Sequence, residues 1–480
     1  MIQQQEPICA LATPSGVGAI GVIRVSGAGT FELVNRIFRG KNLAEVESHT
    51  VHFGTIRTMP AVVASETLNQ IVPNFKSGTK WRIVSDATSP TAQVVDEVLV
   101  SVFKSPRSFT KEDVIEISCH GSDYIIRQIL KLLVENGARL AKPGEFTQRA
   151  FLNGQFDLVQ AEAVADLIAA DSAAAHRTAI NQLRGGFSKQ LAALRQELIH
   201  FASLVELELD FGEEDVEFAN RDDLKSLVLS LQQAIFPLID SFNWGNALKE
   251  GIPVAIVGAP NVGKSTLLNA LLNEEKAIVT PIAGTTRDVI EDILFIDGTK
   301  FRIIDTAGIR ETQDLIETIG IERSKQAIEK ADLVLAICSP LTPDGGTFEV
   351  DVEAAESKII RVMNKADLLN ETALKAIQNN NRYRLISAKT GAGLEELKQE
   401  ITARAAPSSQ TTITNLRHFQ HLSKTNEALT DVLSGLETGI TGDFLAQDIR
   451  LALHHLGEIT GTIASDDLLA NIFSKFCIGK

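Results

Sequence analysis

Short apolar runs separated by glycine and proline dominate the first third of the chain. Apolar residues spaced by three and four predict a helix over residues 123–135. Residues 60–93 are richer in threonine, serine and proline and show weak periodicity, which indicates an insertion of loops or an additional hairpin. Continuous apolar runs predict β-strands at residues 19–25, 97–103 and 114–118. Together these elements predict an α+β domain over residues 1–153.

The pattern changes to long helices from about residue 155. Apolar side chains step by three or four from Ile180 to Val205, a spacing that places one apolar stripe on one helix face. Such a stripe needs a partner helix, so we interpret it as part of a packed helical bundle. Helical periodicity returns after about residue 406 and continues to the end of the chain. The pattern therefore predicts an all-α domain built from residues 154–249 and 406–480.

Residues 250–405 alternate between apolar strands, loops and helices, as a doubly wound α/β domain does. Strands are predicted at residues 254–257, 293–296, 301–304, 333–337, 359–363 and 384–386. Asp297-Gly298 between the second and third of these is a hairpin signal, which predicts one antiparallel edge pair. The predicted fold class is thus multidomain, with an α+β domain, an all-α domain and an α/β domain inserted into the all-α one.

Charge and composition argue against several classes of function. The 480 residues include 61 acidic and 46 basic side chains, a net charge of −15, which argues against coating nucleic acid or an anionic membrane by bulk charge. Because no run of about 20 apolar residues and no signal peptide is visible, we expect a cytoplasmic protein without a membrane partner. The scattered cysteines indicate neither a disulfide framework nor a zinc site; they are Cys9, Cys119, Cys338 and Cys477.

Residues 258–265 match the phosphate-binding pattern G-x-x-x-x-G-K-[ST], after an apolar strand and before a predicted helix. Its glycines allow backbone N–H groups to wrap phosphates at a helix N-terminus. Lys264 supplies a positive charge to the outer phosphates, and the Ser265 hydroxyl can ligate Mg²⁺. This segment therefore predicts a nucleoside triphosphate site in a P-loop domain of the Ras-like type.

Three later motifs, residues 305–308, 364–367 and 387–389, follow predicted strands in the order seen in the translation-factor class of GTPases, and the last two are the expected base-recognition motifs. Residues 305–308 (Asp-Thr-Ala-Gly) lie where a Mg²⁺-proximal aspartate and a γ-phosphate glycine are needed. Asp367 of the Asn-Lys-Ala-Asp motif can accept hydrogen bonds from N1 and N2 of guanine, which adenine lacks, so GTP is the expected nucleotide. The predicted GTP-binding residues are Asn261, Val262, Gly263, Lys264, Ser265, Thr266, Thr280, Pro281, Ile282, Ala283, Gly284, Thr285, Thr286, Asp305, Thr306, Ala307, Gly308, Asn364, Lys365, Ala366, Asp367, Ser387, Ala388 and Lys389.

The residue that usually orients the attacking water is missing. Ile309 follows the Asp-Thr-Ala-Gly motif, and its apolar side chain cannot do what a glutamine does in the usual GTPases. Residues 280–288 form the natural switch I, where a threonine hydroxyl can complete Mg²⁺ coordination. Asn261 offers a neutral oxygen that, with switch I carbonyls, can hold a monovalent cation where an arginine finger would place its charge.

Motifs in both termini and in every region except 60–93 make the whole chain resemble the MnmE (TrmE) family of tRNA-modification GTPases. They are residues 16–24, 109–116, 143–153, 157–168, 284–288 and 476–480. The resemblance implies a folate-binding and dimerisation domain over 1–153, a helical domain over 154–249 and 406–480, and a GTPase domain over 250–405. It also implies a homodimer that forms a heterotetramer with MnmG, a flavoprotein that carries FAD. Together the two proteins would install an aminomethyl or carboxymethylaminomethyl group on carbon five of the wobble uridine of certain tRNAs.

The resemblance also assigns roles to individual residues. Asn261 with the carbonyls of Thr280, Ile282 and Thr285 would bind K⁺, and Ser265 with Thr286 would hold Mg²⁺. Glu317 would position the attacking water indirectly, with Thr285 and Asp288 as further catalytic residues. The one-carbon donor would be a tetrahydrofolate derivative, 5-formyl- or methylene-substituted. Its binding residues would be Arg24, Glu116, Lys480 and Gln155, the last of which stands where the family usually has a lysine and lacks that charge.

Two other functions are compatible with parts of the sequence. A GTPase switch in ribosome or RNA assembly, without folate chemistry, would have a basic RNA-binding domain beside the GTPase, and the sequence shows none. A folate-dependent transferase with regulatory GTP binding shares every motif, so only transfer of a labelled one-carbon unit separates it.

Overall fold

The computed structural model describes residues 6–58, 93–210, 221–274, 292–304, 326–340, 356–379, 382–405 and 413–479. The strands are β1 (Ile8–Leu11), β2 (Ile20–Ser26), β3 (Phe38–Arg39), β4 (Thr50–Arg57), β5 (Val94–Phe103), β6 (Val114–His120), β7 (Arg139–Leu140), β8 (Ile252–Val257), β9 (Asp292–Ile296), β10 (Thr299–Ile304), β11 (Leu333–Cys338), β12 (Ile359–Met363) and β13 (Arg384–Leu385). The helices with described bounds are α1 (Thr30–Ile37), α2 (Asp123–Glu135), α3 (Glu145–Leu152), α4 (Leu158–Ala169), α5 (Ala173–Leu183), α6 (Gly186–Asp210), α7 (Arg221–Glu250), α8 (Lys264–Glu274), α9 (Glu371–Asn379), α10 (Leu394–Arg404), α11 (Leu416–Thr438), α12 (Gly442–Thr460) and α13 (Asp466–Ser474).

Two compact units divide the chain, one within Met1–Ala165 and Ala464–Lys480 and the other within Asp166–Ile463. The first contains a seven-stranded sheet in the order β3-β4-β5-β6-β2-β1-β7, antiparallel except for the β1–β7 pair. On β5, Val98, Val100 and Val102 are buried while the residues between them are more exposed, the period-two pattern of a strand with one covered face. Residues of α1 and α2 pack into the same core as these valines.

The last helix in the sequence belongs to this first unit. Helix α13 packs against α3, and Phe473 of α13 is buried with Leu158 and Ala161 of α4. Gly144, at φ +66 before α3, has no room for a side chain, because a Cβ there would lie 2.6 Å from the carbonyl oxygen of Phe473. The approach of the two backbones thus requires glycine at this position.

A buried ionic network fixes the end of the first unit's sheet to α3. Arg149 is 2% exposed and contacts Glu112 at 3.3 Å and Glu145 at 3.2 Å. Glu145 also accepts hydrogen bonds from Arg139 on β7 and from the backbone N–H of Lys142. Burial by itself raises the pKa of Glu145, but the bonds from Arg139 and Lys142 and the charges of both arginines lower it overall.

The second unit contains a six-stranded sheet in the order β13-β12-β11-β8-β10-β9. All neighbours in this sheet are parallel except β9 and β10. Its central strands β8 and β11 are apolar and buried almost throughout, as expected for a sheet covered on both faces. Long helices precede and follow this sheet in the sequence: α11 packs against α7 and α12, and α12 packs against α6. The α+β, all-α and α/β parts confirm the predicted fold class.

Most predicted elements agree with the structure, and the differences have local causes. The hairpin prediction is confirmed, since Asp297 and Gly298 have φ of +49° and +73° between the antiparallel strands β9 and β10. The stripe from Ile180 to Val205 is divided between α5 and α6, because Gly185 at φ +75 lies between the two helices. The predicted insertion over 60–93 falls almost wholly outside the described residues. None of the helices in the described part of the chain has the length and apolar character that a membrane crossing requires.

Replacing Glu145 by glutamine tests the buried network. In the variant, Arg149 stays buried but loses the negative charge of Glu145, one of its two carboxylate partners. Breaking a buried ion pair costs about 3–5 kcal/mol of folding free energy. We expect faster amide hydrogen exchange in β1, β7 and α3, which reports local unfolding. Glu437→Gln, at a pair with Lys225 in which the glutamate is 64% exposed, is the control and should change stability by less than about 1 kcal/mol. Equal exchange in the two variants would contradict a stabilising role for the network.

Candidate functional site

The strand order of the second unit brings the sequence motifs to one edge of a sheet. Strand β8 lies between β10 and β11 and is parallel to both, and the chain passes from β8 to β9 and β10 on one side before it returns to β11 on the other, so the strand order reverses at β8. Ligands of open α/β sheets bind at such a switch point. The phosphate-binding loop follows β8, residues 305–308 follow β10, and Asn364 follows β12.

The phosphate-binding loop depends on two glycines that are crowded by backbone and side chain. A Cβ at Gly258 would lie 2.2 Å from the carbonyl oxygen of Ile337 on β11, and one at Gly263 would lie 2.3 Å from Nδ2 of Asn364. Gly258, Asn261 and Gly263 all have positive φ, which bends the loop before α8 begins at Lys264. The first N–H groups of α8 therefore lie at the loop, where an anion can accept hydrogen bonds.

Lys264 lies with its ammonium group over this loop. Its Nζ donates to the carbonyl oxygens of Gly258 at 2.8 Å and Ala259 at 3.0 Å, and burial lowers its pKa. Ser265 in the first turn of α8 is half-buried, Val262 is buried in the sheet core, and Thr266 is exposed. The loop and first turn of α8 thus provide the cation, the hydroxyl and the backbone donors that a triphosphate needs.

The buried amide of Asn364 connects three motifs. Its Nδ2 donates to the carbonyl oxygen of Val262 at 2.9 Å, and its Oδ1 accepts from the backbone N–H of Ala388 at 3.0 Å. Lys365, also at positive φ, donates from Nζ to the carbonyl oxygen of Asn261 at 2.6 Å. The phosphate loop and the two base-recognition motifs are therefore parts of one hydrogen-bonded assembly.

A carboxylate suited to guanine stands at the edge of this assembly. Asp367 is exposed, and its Oδ1 accepts a hydrogen bond from Oγ of Ser387 at 2.7 Å. The backbone N–H of Ala366 donates to Ile386 at 3.0 Å, which ties the motif to the segment after β13. Lys389, next to Ala388, is exposed on the same segment. Among the predicted residues, the structure thus brings together Asn261–Thr266, Asn364–Asp367 and Ser387–Lys389.

Several predicted site residues lie outside the described residues, and their assignments stay predictions. They are Thr280, Pro281, Ile282, Ala283, Gly284, Thr285, Thr286, Asp288, Asp305, Thr306, Ala307, Gly308, Glu317 and Lys480.

A second candidate site lies in the first unit, around Arg24. Arg24 and Glu116 are opposite each other on β2 and β6, and both Nε and Nη2 of the arginine donate to Oε1 of the glutamate, at 2.9 and 2.8 Å. The guanidinium also lies 5.4 Å from the ring centre of Phe109 and 5.7 Å from that of Phe146. The arginine is thus held by a carboxylate and flanked by two aromatic faces.

The chain terminus and the segment after α3 reach the same cluster. Arg24 Nη1 donates to the carbonyl oxygen of Gly479 at 3.4 Å. Gly479 has φ +95, and a Cβ there would lie 2.1 Å from the carbonyl oxygen of Leu11. Gln155 is exposed, and the next residue, Phe156, lies 5.6 Å from the ring of Phe109. Arg24, Glu116, Gly479 and the segment that carries Gln155 and Phe156 therefore converge.

The sequence did not indicate the aromatic neighbours of Arg24. Phe109 and Phe146 lie in motifs that carry the family resemblance, but their spacing gives no sign that both rings flank one guanidinium. Burial raises the pKa of Cys9, Cys119 and Cys338 to about 11, whereas Cys477 is exposed. The three buried thiols are consequently poor nucleophiles.

Comparison with known proteins finds matches over nearly the whole chain. A family model described as the MnmE helical domain matches residues 158–477, and one described as the GTP-binding protein TrmE N-terminus matches residues 7–155. The tRNA modification GTPase MnmE of Cytophaga hutchinsonii is 49% identical over 99% of this chain and 98% of its own length. The proteins of the same name from Flavobacterium johnsoniae and Christiangramia forsetii are 48% and 47% identical, each over 99% of both chains. These matches show that the chain belongs to the MnmE family of tRNA modification GTPases.

Proposed function

We propose that this GTPase depends on K⁺ and acts with the flavoprotein MnmG to modify carbon five of the wobble uridine in certain tRNAs. The product carries an aminomethyl or carboxymethylaminomethyl group, and a tetrahydrofolate derivative supplies the one-carbon unit. The hydrogen-bonded assembly around Asn364 carries the proposal, because it joins the triphosphate loop to a guanine-specific carboxylate. GTP is therefore the nucleotide that this chain binds and hydrolyses.

The metal ions of the reaction fit the chemistry of the loop. Ser265 in the first turn of α8 presents a hydroxyl, which with Thr286 would hold Mg²⁺ on the outer phosphates. Asn261 is exposed at φ +62 within the loop, so its amide oxygen is a suitable ligand for K⁺ together with the carbonyls of Thr280, Ile282 and Thr285. A bound cation here would supply positive charge beside the transferring phosphoryl group.

Residues after the phosphate-binding loop would supply the groups that orient the attacking water. Glu317 would position the attacking water indirectly, with Thr285 and Asp288 contributing from switch I. In a homodimer, two GTPase domains would meet across K⁺ and GTP, so that cation binding, nucleotide binding and dimerisation would be thermodynamically linked.

The Arg24 cluster supports the folate part of the proposal. A tetrahydrofolate derivative combines a flat pterin with an anionic glutamate tail, and Arg24 with its aromatic neighbours offers a charge and stacking surfaces of that kind. Glu116 offers an acceptor for pterin N–H groups, while Gln155 and Lys480 would lie on segments that reach the cluster. The FAD of the reaction would be bound by MnmG, in a heterotetramer that also receives the tRNA.

Asp367→Asn tests guanine recognition. In the variant, an amide NH₂ group replaces the carboxylate oxygen that accepts from the N2 amine of guanine, and hydrogen bonds to charged groups contribute about 1.5–3 kcal/mol each. We expect GTP to bind at least about 100-fold more weakly, while xanthosine triphosphate, which has a carbonyl acceptor at C2 in place of that amine, gains affinity. Equilibrium binding to nucleotide-stripped protein measures both. Asp443→Asn, an exposed aspartate on α12, is the control, and unchanged GTP affinity in the Asp367 variant would reject the assignment.

Asn261→Gly tests the K⁺ site. Glycine keeps the positive φ of this position and removes the whole side chain, including the amide oxygen. A positive charge beside the γ-phosphate is worth about 10³-fold or more in GTPases with an arginine finger. We therefore expect hydrolysis by the unaltered protein to be at least roughly 10-fold faster in KCl than in matched NaCl, and this difference to disappear in the variant while GTP affinity changes little. A variant that keeps its KCl stimulation would show that Asn261 is not a cation ligand.

Arg24→Gln tests the folate site. Loss of the charged donor should weaken binding of 5-formyltetrahydrofolate by about 10-fold or more, measured by calorimetry. Gln155→Lys restores a cation and should tighten binding by roughly two- to five-fold. Arg57→Gln, at an exposed arginine on β4, controls for loss of charge in the same unit. Affinities that do not differ among these variants would place folate elsewhere.

Transfer of label tests the proposed reaction as a whole. The protein is incubated with MnmG, tRNA, GTP and a tetrahydrofolate carrying a labelled one-carbon unit, in KCl. Label on the wobble uridine supports the proposal. A K⁺-stimulated GTPase that never transfers label would leave the nucleotide chemistry intact and reject the folate chemistry.

A further inference from the structure

Two helices of the second unit bring three potential metal ligands to one point. His421 lies on α11, and His455 and Glu458 lie one turn apart on α12. Their side chains are 15%, 13% and 24% exposed, so the cluster is half-buried yet reachable from solvent. All three ligand atoms lie within 4.8 Å of one another.

The distances between these atoms match one face of a tetrahedral site. His421 Nδ1 is 3.1 Å from Glu458 Oε2, His455 Nδ1 is 3.6 Å from the same oxygen, and the two Nδ1 atoms are 3.5 Å apart. Ligands at about 2.0–2.1 Å from a tetrahedral Zn²⁺ lie roughly 3.4 Å apart. Adjacent ligands of an octahedral ion at about 2.1 Å lie roughly 3.0 Å apart, shorter than all three distances.

The turn of α12 that carries the carboxylate ligand is held by a side chain of α11. Arg417 donates to the backbone carbonyls of Glu458 and Ile459 at 2.6 and 3.1 Å, which fixes the turn of α12 that carries the carboxylate.

We propose that His421, His455 and Glu458 form a zinc site that joins α11 to α12, with a fourth position open to water. Two histidines and a glutamate are a ligand set that zinc uses in proteins. The cysteine pattern of the sequence gave no sign of zinc, because these ligands come from positions 34 residues apart that only the packing of α11 on α12 brings together. None of these three residues takes part in the proposed GTP or folate chemistry, so the zinc proposal does not rest on it.

Metal titration of the full chain tests the site. The protein carries Cys477→Ser, to remove the exposed thiol, and is stripped of nucleotide and metal before Zn²⁺ or Co²⁺ is added. We expect one equivalent to bind, and the Co²⁺ complex to show the intense visible bands of a four-coordinate ion. Absence of a bound equivalent, or the weak bands of a six-coordinate ion, would overturn the proposal.

Glutamine variants identify the ligands. Since loss of an outer hydrogen-bond partner alone costs about 10–100-fold in metal affinity, His421→Gln, His455→Gln and Glu458→Gln should each weaken Zn²⁺ binding by at least about 100-fold. His200→Gln, at an exposed histidine on α6, should bind as the parent does. Zinc should raise the thermal midpoint of the parent and of this control, and leave that of Glu458→Gln unchanged. Equal affinity in all four variants would mean that the cluster is only a hydrogen-bonded His–Glu group.

Discussion

The nucleotide site is built around the buried amide of Asn364. This side chain is nearly inaccessible to water, and an amide buried without partners would destabilise the fold by about 1–3 kcal/mol. Its two hydrogen bonds run to the backbone of Val262 and of Ala388, so the amide is satisfied only when the P-loop and the segment after β13 are both in place. Gly263 is also required, because a side chain at this position would occupy the space that the amide of Asn364 fills.

Sequence patterns predicted those elements whose structure depends on residues that are close together in the sequence. Helix α2 and strand β12 have the predicted bounds: the apolar residues of α2 are spaced by three and four, and β12 is a nearly continuous apolar run. The phosphate loop was predictable because a strand, a glycine-rich turn and a helix lie together in the sequence. Strand β1 has four residues and β7 has two, which is too short for a recognisable alternation of apolar and polar residues. Their pairing is decided by the neighbouring strands of the sheet.

Long-range contacts were outside the reach of such patterns. Arg24 contacts Gly479, and His421 contacts His455, only because distant segments pack together. The family resemblance supplied Arg24 as a candidate, but the rings of Phe109 and Phe146 beside it follow from the packing of the first unit. A family resemblance can thus identify a candidate residue, while the side chains that contact it become known only from the structure.

The assembly around Asn364 also bears on how K⁺ and GTP can be coupled. In the proposed reaction, Asn261 holds the cation through its side chain, while its backbone carbonyl accepts a hydrogen bond from Lys365. Lys365 stands two residues before Asp367, the proposed guanine ligand, on a segment that Ser387 and Ile386 hold in place. A shift of the Asn261 backbone on cation binding would consequently change its hydrogen bond with Lys365 and so the position of the base-recognition segment. Ordering of that segment by a bound base would, in turn, fix the backbone of Asn261. Because coupling between two binding sites is reciprocal, K⁺ should then favour GTP as much as GTP favours K⁺.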